Sequence, residues 1–317
     1  MQLRIAIVGS GAIGSYYGGK LAAAGCDVHF LVRGDLAPVQ RDGLHIYGPG
    51  EDIRLEPINA YSSTKEIGPC DLVMIAVKAT SSRDIVDVVP PLLHEATMLL
   101  TLQNGLGNEE FLAEHFGPER VLGGLCFIAL KRVSRTEVER FAHGDMVLGE
   151  HARRAQPRTH EVAAAFRRTG INCEVTHNLA QERWRKLIWN IPFNGLSILA
   201  GGIDTAAIIG DEQLRKVTLA LMVEVIAAAN ECGHALPTDS WRELMERSKT
   251  MGAFKPSTLL DWEAGKPLEI EAIWGEPLRR ARAAGCNMPR TEMMYALLNQ
   301  VDQQRSRTNL TALSGQL

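Results

Sequence analysis

The chain has 317 residues, 45% hydrophobic and 22% charged, with a formal net charge of −3. That length holds two domains or one large one with a sizeable core, and so balanced a charge gives no field favouring nucleic acid or an anionic membrane. Its six cysteines stand singly, outside any Cys-x-x-Cys pair or Cys/His cluster, a pattern that offers neither a metal site nor a disulfide framework and fits a reducing cytoplasm.

The first predicted element is a buried parallel strand, Arg4–Val8, read from a short apolar, β-branched run. It leads into Gly9-Ser10-Gly11-Ala12-Ile13-Gly14, a helix over residues 15–25 and a second strand over 27–32, which together make a βαβ unit. Each glycine then has a mechanical task. Gly9 permits the tight turn, Gly11 lets backbone approach a pyrophosphate, and Gly14 lets helix and strand pack closely. Residues 9 to 14 are therefore candidate cofactor-binding residues, and the helix N-terminus offers unpaired N–H groups to the phosphates. Arg33 follows the second strand, where an NAD enzyme usually carries an acid, and suits a ribose 2′-phosphate and hence NADP(H). A solvated surface arginine is the plainer reading, and nearby Asp35 keeps NAD open.

Strand and helix patterns then alternate. Residues 70–77 read as a strand ending at Lys78, 97–102 as one ending in Gln103-Asn104-Gly105, and 120–128 as another. Residues 137–141 and 145–149 read as a hairpin turning at His143-Gly144. The succession predicts an α/β fold, a Rossmann-type doubly wound sheet with a mixed edge. Ligands bind such sheets at the C-terminal strand ends. Lys78 is thus a candidate for a cofactor phosphate, and Asn104 for facing nicotinamide and substrate. The plainer reading of both is turn-capping, Asn-Gly being a common turn dipeptide.

From about Asn178 helical periodicity takes over, in segments 179–199, 211–232, 239–250, 269–284 and 291–304, with 305–317 expected to fray. This divides the chain into a dinucleotide-binding domain over 1–178 and an all-helical domain over 179–317. No apolar run is long enough to span a bilayer, and with the first strand starting within a few residues no signal or transit peptide is expected. Arg153-Arg154 and Arg279-Arg280 read as ordinary solvated charges.

Within 179–199, Lys186, Asn190 and Asn194 are spaced by four and share one helical face. Leu187, Ile188, Trp189, Ile191, Phe193, Leu196 and Ile198 cover most of the rest, so the helix is buried and its polar row must face a cavity or polar partners. Pro192 is expected to kink it. A lysine in such a row is a candidate general acid for a developing alkoxide. The alternative is a lysine whose head reaches solvent beside Glu182, Arg183 and Arg185. Downstream, the helical row from Glu269 passes Ile273 and Pro277, whereas that from Glu271 passes Gly275 and Arg279, so Glu269 faces inward. Ser257 suits a substrate carboxylate or, equally, a helix N-cap.

Together, Gly9 to Gly14, Val77-Lys78, Gln103-Asn104-Gly105, Lys186-x3-Asn190-x3-Asn194, and Ser257-x3-Asp261 followed by Glu269-Ile270-Glu271 resemble the ketopantoate reductase (2-dehydropantoate 2-reductase) family. The glycine loop is shared with many dehydrogenases; the lysine-asparagine row and the Ser/Asp/Glu segment are far more specific. The resemblance implies NADPH-dependent reduction of 2-dehydropantoate to (R)-pantoate, in pantothenate and coenzyme A synthesis. It implies Lys186 as proton donor, with Glu269 beside it in catalysis and Asn104, Asn190, Asn194 and Ser257 contacting or orienting the substrate. It further implies Arg33 and Lys78 at the cofactor's 2′-phosphate. The family often has proline directly after the second asparagine; here Pro192 precedes Asn194 and Gly195 follows it. Two other readings stay open: a paralogous NAD(P)H-dependent reductase of another 2-keto acid, and an NADPH sensor without chemistry. The expected partner is a small 2-keto acid, without nucleic acid or membrane, in a monomer or homodimer.

Overall fold

The computed structural model describes residues 3–34 and 36–314, with side chains except at 142, 143 and 306–314. The Asp35 reading lies outside the described residues. The chain divides into two compact units, Met1–Leu179 and Ala180–Leu317.

The first unit opens with β1 (Arg4–Val8), α1 (Ala12–Ala23), β2 (Asp27–Leu31), α2 (Ala37–Asp42), β3 (Leu44–Gly48), β4 (Glu51–Leu55) and β5 (Asn59–Tyr61). It continues through α3 (Thr64–Ile67), β6 (Leu72–Ile75), α4 (Ile85–Val88), β7 (Met98–Thr101) and α5 (Asn108–Phe116). It closes with β8 (Val121–Arg132), β9 (Glu137–Glu150), α6 (Pro157–Arg168) and β10 (Cys173–Val175). These strands form one sheet in the order β4-β3-β9-β8-β7-β6-β1-β2-β5, with β10 beside β9. From β8 through β5 every pairing is parallel, whereas β8–β9 and β3–β4 are antiparallel and give the mixed edge. Along β1, Ile5 and Ile7 join a core with Tyr17, Leu21 and Phe30, while Ala6 and Val8 join another with Val73, Ile75 and Leu99. A strand buried on both faces needs apolar residues at every position, which is why β1 reads as a continuous run.

Three differences from the sequence reading have local causes. First, β9 runs unbroken through His143-Gly144, and the hairpin turn lies between β8 and β9 at residues 133–136. Pairing with β3 at Glu137–Glu139 and with β10 at Met146–Leu148 holds both halves in one strand. A register shift opposite Gly144, at φ +151°, is the bulge that resembled a turn. Second, β3, β4, β5 and β10 were not expected; β5 and β10 are only three residues long, whereas the alternation of Leu44 and Ile46 with Ile53 and Leu55 around Gly48-Pro49-Gly50 is a hairpin signal that went unread. Third, Arg153 is not simply solvated. With Arg158 and Thr159 it holds Glu150, whose side chain is fully buried at the end of β9.

The second unit is helical: α7 (Leu179–Leu199), α8 (Thr205–Gly210), α9 (Glu212–Glu231), α10 (Trp241–Thr250), α11 (Ser257–Glu263), α12 (Glu276–Ala283) and α13 (Pro289–Ser314). A π-helical turn, Glu271–Gly275, leads into α12. Helix α7 continues through Pro192 with Trp184, Leu187, Ile188, Ile191 and Phe193 all buried. At Gly195 a β-carbon would lie 2.2 Å from Met294 Sδ, so a glycine is what lets α13 pack this closely. Glu224 of α9 accepts from the backbone N–H of Arg290 and Thr291, and from their side chains, each at 3.0 Å. It thereby caps α13 from outside that helix. The last helix runs further than the 291–304 segment expected from the sequence. Helix α13 reaches Ser314, and Arg305 donates to Trp262 O and Asp302 Oδ1, both at 2.8 Å. Residues 315–317 lie outside the described residues. Among the described residues no helix is long and apolar enough to cross a membrane.

Candidate functional site

In the first unit, β1 lies where the strand order reverses, the chain moving one way to β2 and the other way to β6. Such a switch point leaves a crevice at the C-terminal strand ends. Gly9 turns the chain there at φ +106°, and a β-carbon on it would lie 2.5 Å from Val77 N. A β-carbon on Gly14 would lie 2.1 Å from Gly9 O. Both positions are closed to side chains by backbone. Gly11 differs: its β-carbon direction meets no protein atom within 4 Å, so the outer side of the loop is open. Ser10 Oγ donates to Leu31 O at 2.7 Å and ties the loop to β2.

Helix α1 begins at Ala12, three residues earlier than its sequence suggested, so Ala12, Ile13 and Gly14 form its first turn. No side chain caps that turn and no acid lies in it. Its backbone N–H groups therefore have neither a helical acceptor nor a local carboxylate, the arrangement that suits an anion. An open Gly11 face beside an uncapped helix start fits a dinucleotide pyrophosphate.

Lys78 follows β6, half-buried, its carbonyl accepting from Ser81 N at 2.9 Å. Asn104 follows β7, also half-buried, its carbonyl accepting from Asn108 Nδ2 at 2.9 Å. Next to Asn104 in the chain is Gln103, to which sequence reasoning gave no task. It is 4% exposed, accepts from Thr101 Oγ1 and donates to Ser82 Oγ, both at 3.0 Å. One buried amide thus links the loop carrying Lys78 to the loop carrying Asn104.

Arg33 is exposed and pairs with Asp84 at 3.0 Å. Two further arginines, Arg132 and Arg135, come to this place from the β8–β9 hairpin and were also missed. Arg132 Nη1 donates to Ser10 O, and its other donors reach Ser134 O at 3.1 Å and Arg135 O at 3.0 Å. Burial, and then the neighbouring Arg135 charge, lower its pKa from the ordinary guanidinium value. Arg135 Nη1 donates to Arg33 O at 3.3 Å.

In the second unit, the polar row of α7 descends inward. Lys186 is half-buried, Asn190 is 8% exposed and Asn194 is 1% exposed. Among the described residues Asn194 Oδ1 has no hydrogen-bond partner. Two indoles are fixed at the same helix: Trp189 Nε1 donates to Ser248 Oγ at 3.0 Å and Trp274 Nε1 to Ile191 O at 3.2 Å. Glu269 is 4% exposed. Glu271 faces outward, held by Arg279 Nη1 at 2.8 Å and by Tyr295 Oη. These bonds and the Arg279 charge outweigh burial and keep its carboxyl below the usual value. Ser257 is the exposed first residue of α11; Pro256 occupies the cap position, and no side chain caps that helix. The N-cap alternative for Ser257 is therefore not the one the fold uses. Among the described residues no group of His, Cys, Asp or Glu is placed to hold a metal ion.

Residues 5–153 match the family model described as ketopantoate reductase PanE/ApbA, and residues 178–302 match the model of its C-terminal part. The chain is 34% identical to a 2-dehydropantoate 2-reductase of Nostoc sp., over 98% of each chain. A solved 2-dehydropantoate 2-reductase from Geobacter metallireducens is 43% identical, with a TM-score of 0.91 over 94% of this chain and 99% of that one. D-mandelate dehydrogenase, solved with NADH and anilino(oxo)acetate, shares the fold at 21% identity, with a TM-score of 0.84 over 95% and 99%.

Proposed function

The chain belongs to the ketopantoate reductase family, and from that premise we propose that it reduces 2-dehydropantoate to (R)-pantoate with NADPH, in the synthesis of pantothenate and coenzyme A. The chemistry a bound nicotinamide supplies is a hydride for the keto carbon. The protein's part is to hold the reactants, to stabilise charge growing on the keto oxygen, and to deliver a proton there. In this reading the uncapped start of α1 and the Gly9 to Gly14 loop hold the pyrophosphate, while Arg33 and Lys78 hold the 2′-phosphate. Asn104 contacts nicotinamide and substrate.

Lys186 is the proton donor: its ammonium is both the cation and the acid that the keto oxygen needs. Asn190 and Asn194 orient the carbonyl by amide hydrogen bonds, and Glu269 and Ser257 engage the substrate's hydroxyl and carboxylate. Among these the support is strongest for the α7 row. A buried amide oxygen without a partner costs about 1–3 kcal/mol, and Asn194 carries one on the same helical face as Asn190 and Lys186, among the buried Leu187, Ile188, Ile191 and Phe193 of that helix. As part of the same reading the enzyme is a cytoplasmic homodimer, an assembly that light scattering tests.

The deciding experiment is single-turnover NADPH oxidation with ketopantoate against a panel of bulkier 2-keto acids. Fast oxidation with ketopantoate supports the reading. Preference for another acid replaces the substrate, and tight NADPH binding with no oxidation by any acid leaves a sensor.

A further inference from the structure

We propose that Arg135 is a second cation for the cofactor's 2′-phosphate, and that Arg132 is the positioning residue that holds it over the turn after β2. The inference rests on the NADPH reading above and extends it to residues of the β8–β9 hairpin, far away in sequence.

Two arginines meet at the turn after β2. Arg33 pairs with Asp84 in the segment that follows Lys78. Arg135 Nη1 donates to Arg33 O at 3.3 Å and would be 3.2 Å from a β-carbon on Gly34. Gly34 has φ +81°, a conformation that costs little only without a side chain, so this glycine lets the Arg135 guanidinium lie against bare backbone. Both charges therefore stand at one turn, where a Rossmann fold meets the ribose that distinguishes NADP from NAD.

Arg132 has a different task. Its hydrogen bonds run to the carbonyls of Ser10, Ser134 and Arg135. It thus fastens the hairpin tip to the glycine-rich loop and sets the backbone that carries Arg135. Register shifts at Phe127/Ile128 and Ala129/Leu130 re-aim the hairpin on its way there, as bulges do. A planar fork suits phosphate better than an ammonium does. Two forks at one turn would make binding of a 2′-phosphate more favourable and more salt-dependent than one alone.

The test is equilibrium calorimetry of 2′,5′-ADP, 5′-AMP, NADPH and NADH with the wild type, Arg135→Ala, Arg135→Lys, Arg132→Ala and Arg132→Lys. Because Arg135 is exposed, its replacement should leave the thermal midpoint in place. Arg135→Ala should weaken 2′,5′-ADP and NADPH roughly tenfold, leave 5′-AMP and NADH within about twofold, and flatten the salt dependence of NADPH binding. Arg135→Lys should recover part of the loss. Arg132→Ala should weaken all four nucleotides, since the Ser10 carbonyl loses its tie to the hairpin and keeps only the hydroxyl bond of Ser10 to Leu31, with partial rescue by Arg132→Lys. If Arg135→Ala weakens NADPH and NADH equally, or neither, the assignment is wrong. A wild type that binds 2′,5′-ADP no better than 5′-AMP would overturn the NADPH reading and this inference together. Discrimination that survives unchanged in Arg135→Ala would overturn this inference alone.

Discussion

Replacing Glu150 by glutamine should destabilise the first unit by about 2 kcal/mol at neutral pH. The carboxylate, fully buried, meets Arg158 at 2.6 and 3.0 Å, Arg153 at 3.1 and 3.2 Å, and Thr159 Oγ1 at 2.6 Å. Glutamine keeps the volume and one acceptor oxygen, which Thr159 and Arg158 Nε can share, but it removes the charge and puts an NH2 donor where Oε2 accepts from Arg153 and Arg158. A hydrogen bond to a charged partner contributes about 1.5–3 kcal/mol against about 0.5–1.5 for a neutral one, a loss of ~1 kcal/mol at each arginine. The arginine side chains are 26% and 37% exposed, so water replaces part of the interaction and keeps the loss below the ~3–5 kcal/mol of a fully buried broken pair.

The same group sets a pH dependence. Burial pushes the Glu150 carboxyl up, but hydrogen bonds from Arg158 and Thr159 and the charges of Arg158 and Arg153 outweigh it and hold it below the usual 4.5. A folded value below the unfolded one means the contribution is complete above the unfolded value and is lost as pH falls through the folded one. Urea titrations followed by far-UV circular dichroism, at neutral pH and at successive pH values below 4.5, measure both effects. All five tryptophans lie in the second unit, so their fluorescence reports that unit in parallel. A glutamine variant as stable as the wild type at neutral pH, or a gap that widens on acidification, would refute the reasoning.

Three further outcomes follow from the site and the packing. Arg33→Asp should weaken NADPH binding by about 1.5–3 kcal/mol and leave NADH binding unchanged or improved; equal wild-type affinities for the two cofactors would remove the idea. Glu269→Ala should raise the KM for keto acid more than it alters cofactor affinity, whereas Glu271→Ala, which loses only surface bonds to Arg279 and Tyr295, should not; steady-state kinetics with the phenotypes exchanged would reverse the face assignment. Glu224→Ala should lower stability by about 2–3 kcal/mol, because two N–H groups at the start of α13 and the Thr291 hydroxyl lose their acceptor. Tryptophan-monitored urea unfolding checks it, and an unchanged midpoint would contradict it.

What was legible in the sequence was local. The β1 run, the glycines at 9, 11 and 14, and the four-residue spacing of Lys186, Asn190 and Asn194 each lie within a strand, a turn or a few helical turns, where period alone assigns a face. Glu269 is buried and Glu271 exposed as the counting had it, although Glu269 precedes the helix and Glu271 opens a π-helical turn, so the regular α-helical period assumed there is not what sets the two faces. What was not legible depends on distant partners. Arg132 meets Ser10 across 122 positions, and Glu224 meets Thr291 across 67; no window of sequence contains both members. Gln103 sat in a recognised motif, but its task depends on Ser82 in another loop. Gly144 misled because a lone glycine between two strand-like runs was read as a turn where it marks a bulge, while β3 and β10 paired with the two halves of β9 kept the strand intact.

The most direct test of the account is the rate of ketopantoate reduction by Lys186→Ala beside the wild type, with NADPH affinity measured separately. Loss of a positioned general acid should lower kcat by roughly 10²–10⁴-fold. NADPH affinity should scarcely change, because the account assigns the cofactor's phosphates to residues of the first unit. The wild-type kcat should fall at alkaline pH with one ionisation, and that limb should be absent from the variant. A Lys186→Ala enzyme that turns over ketopantoate at the wild-type rate, or that keeps the alkaline limb, would mean that the proton comes from another group.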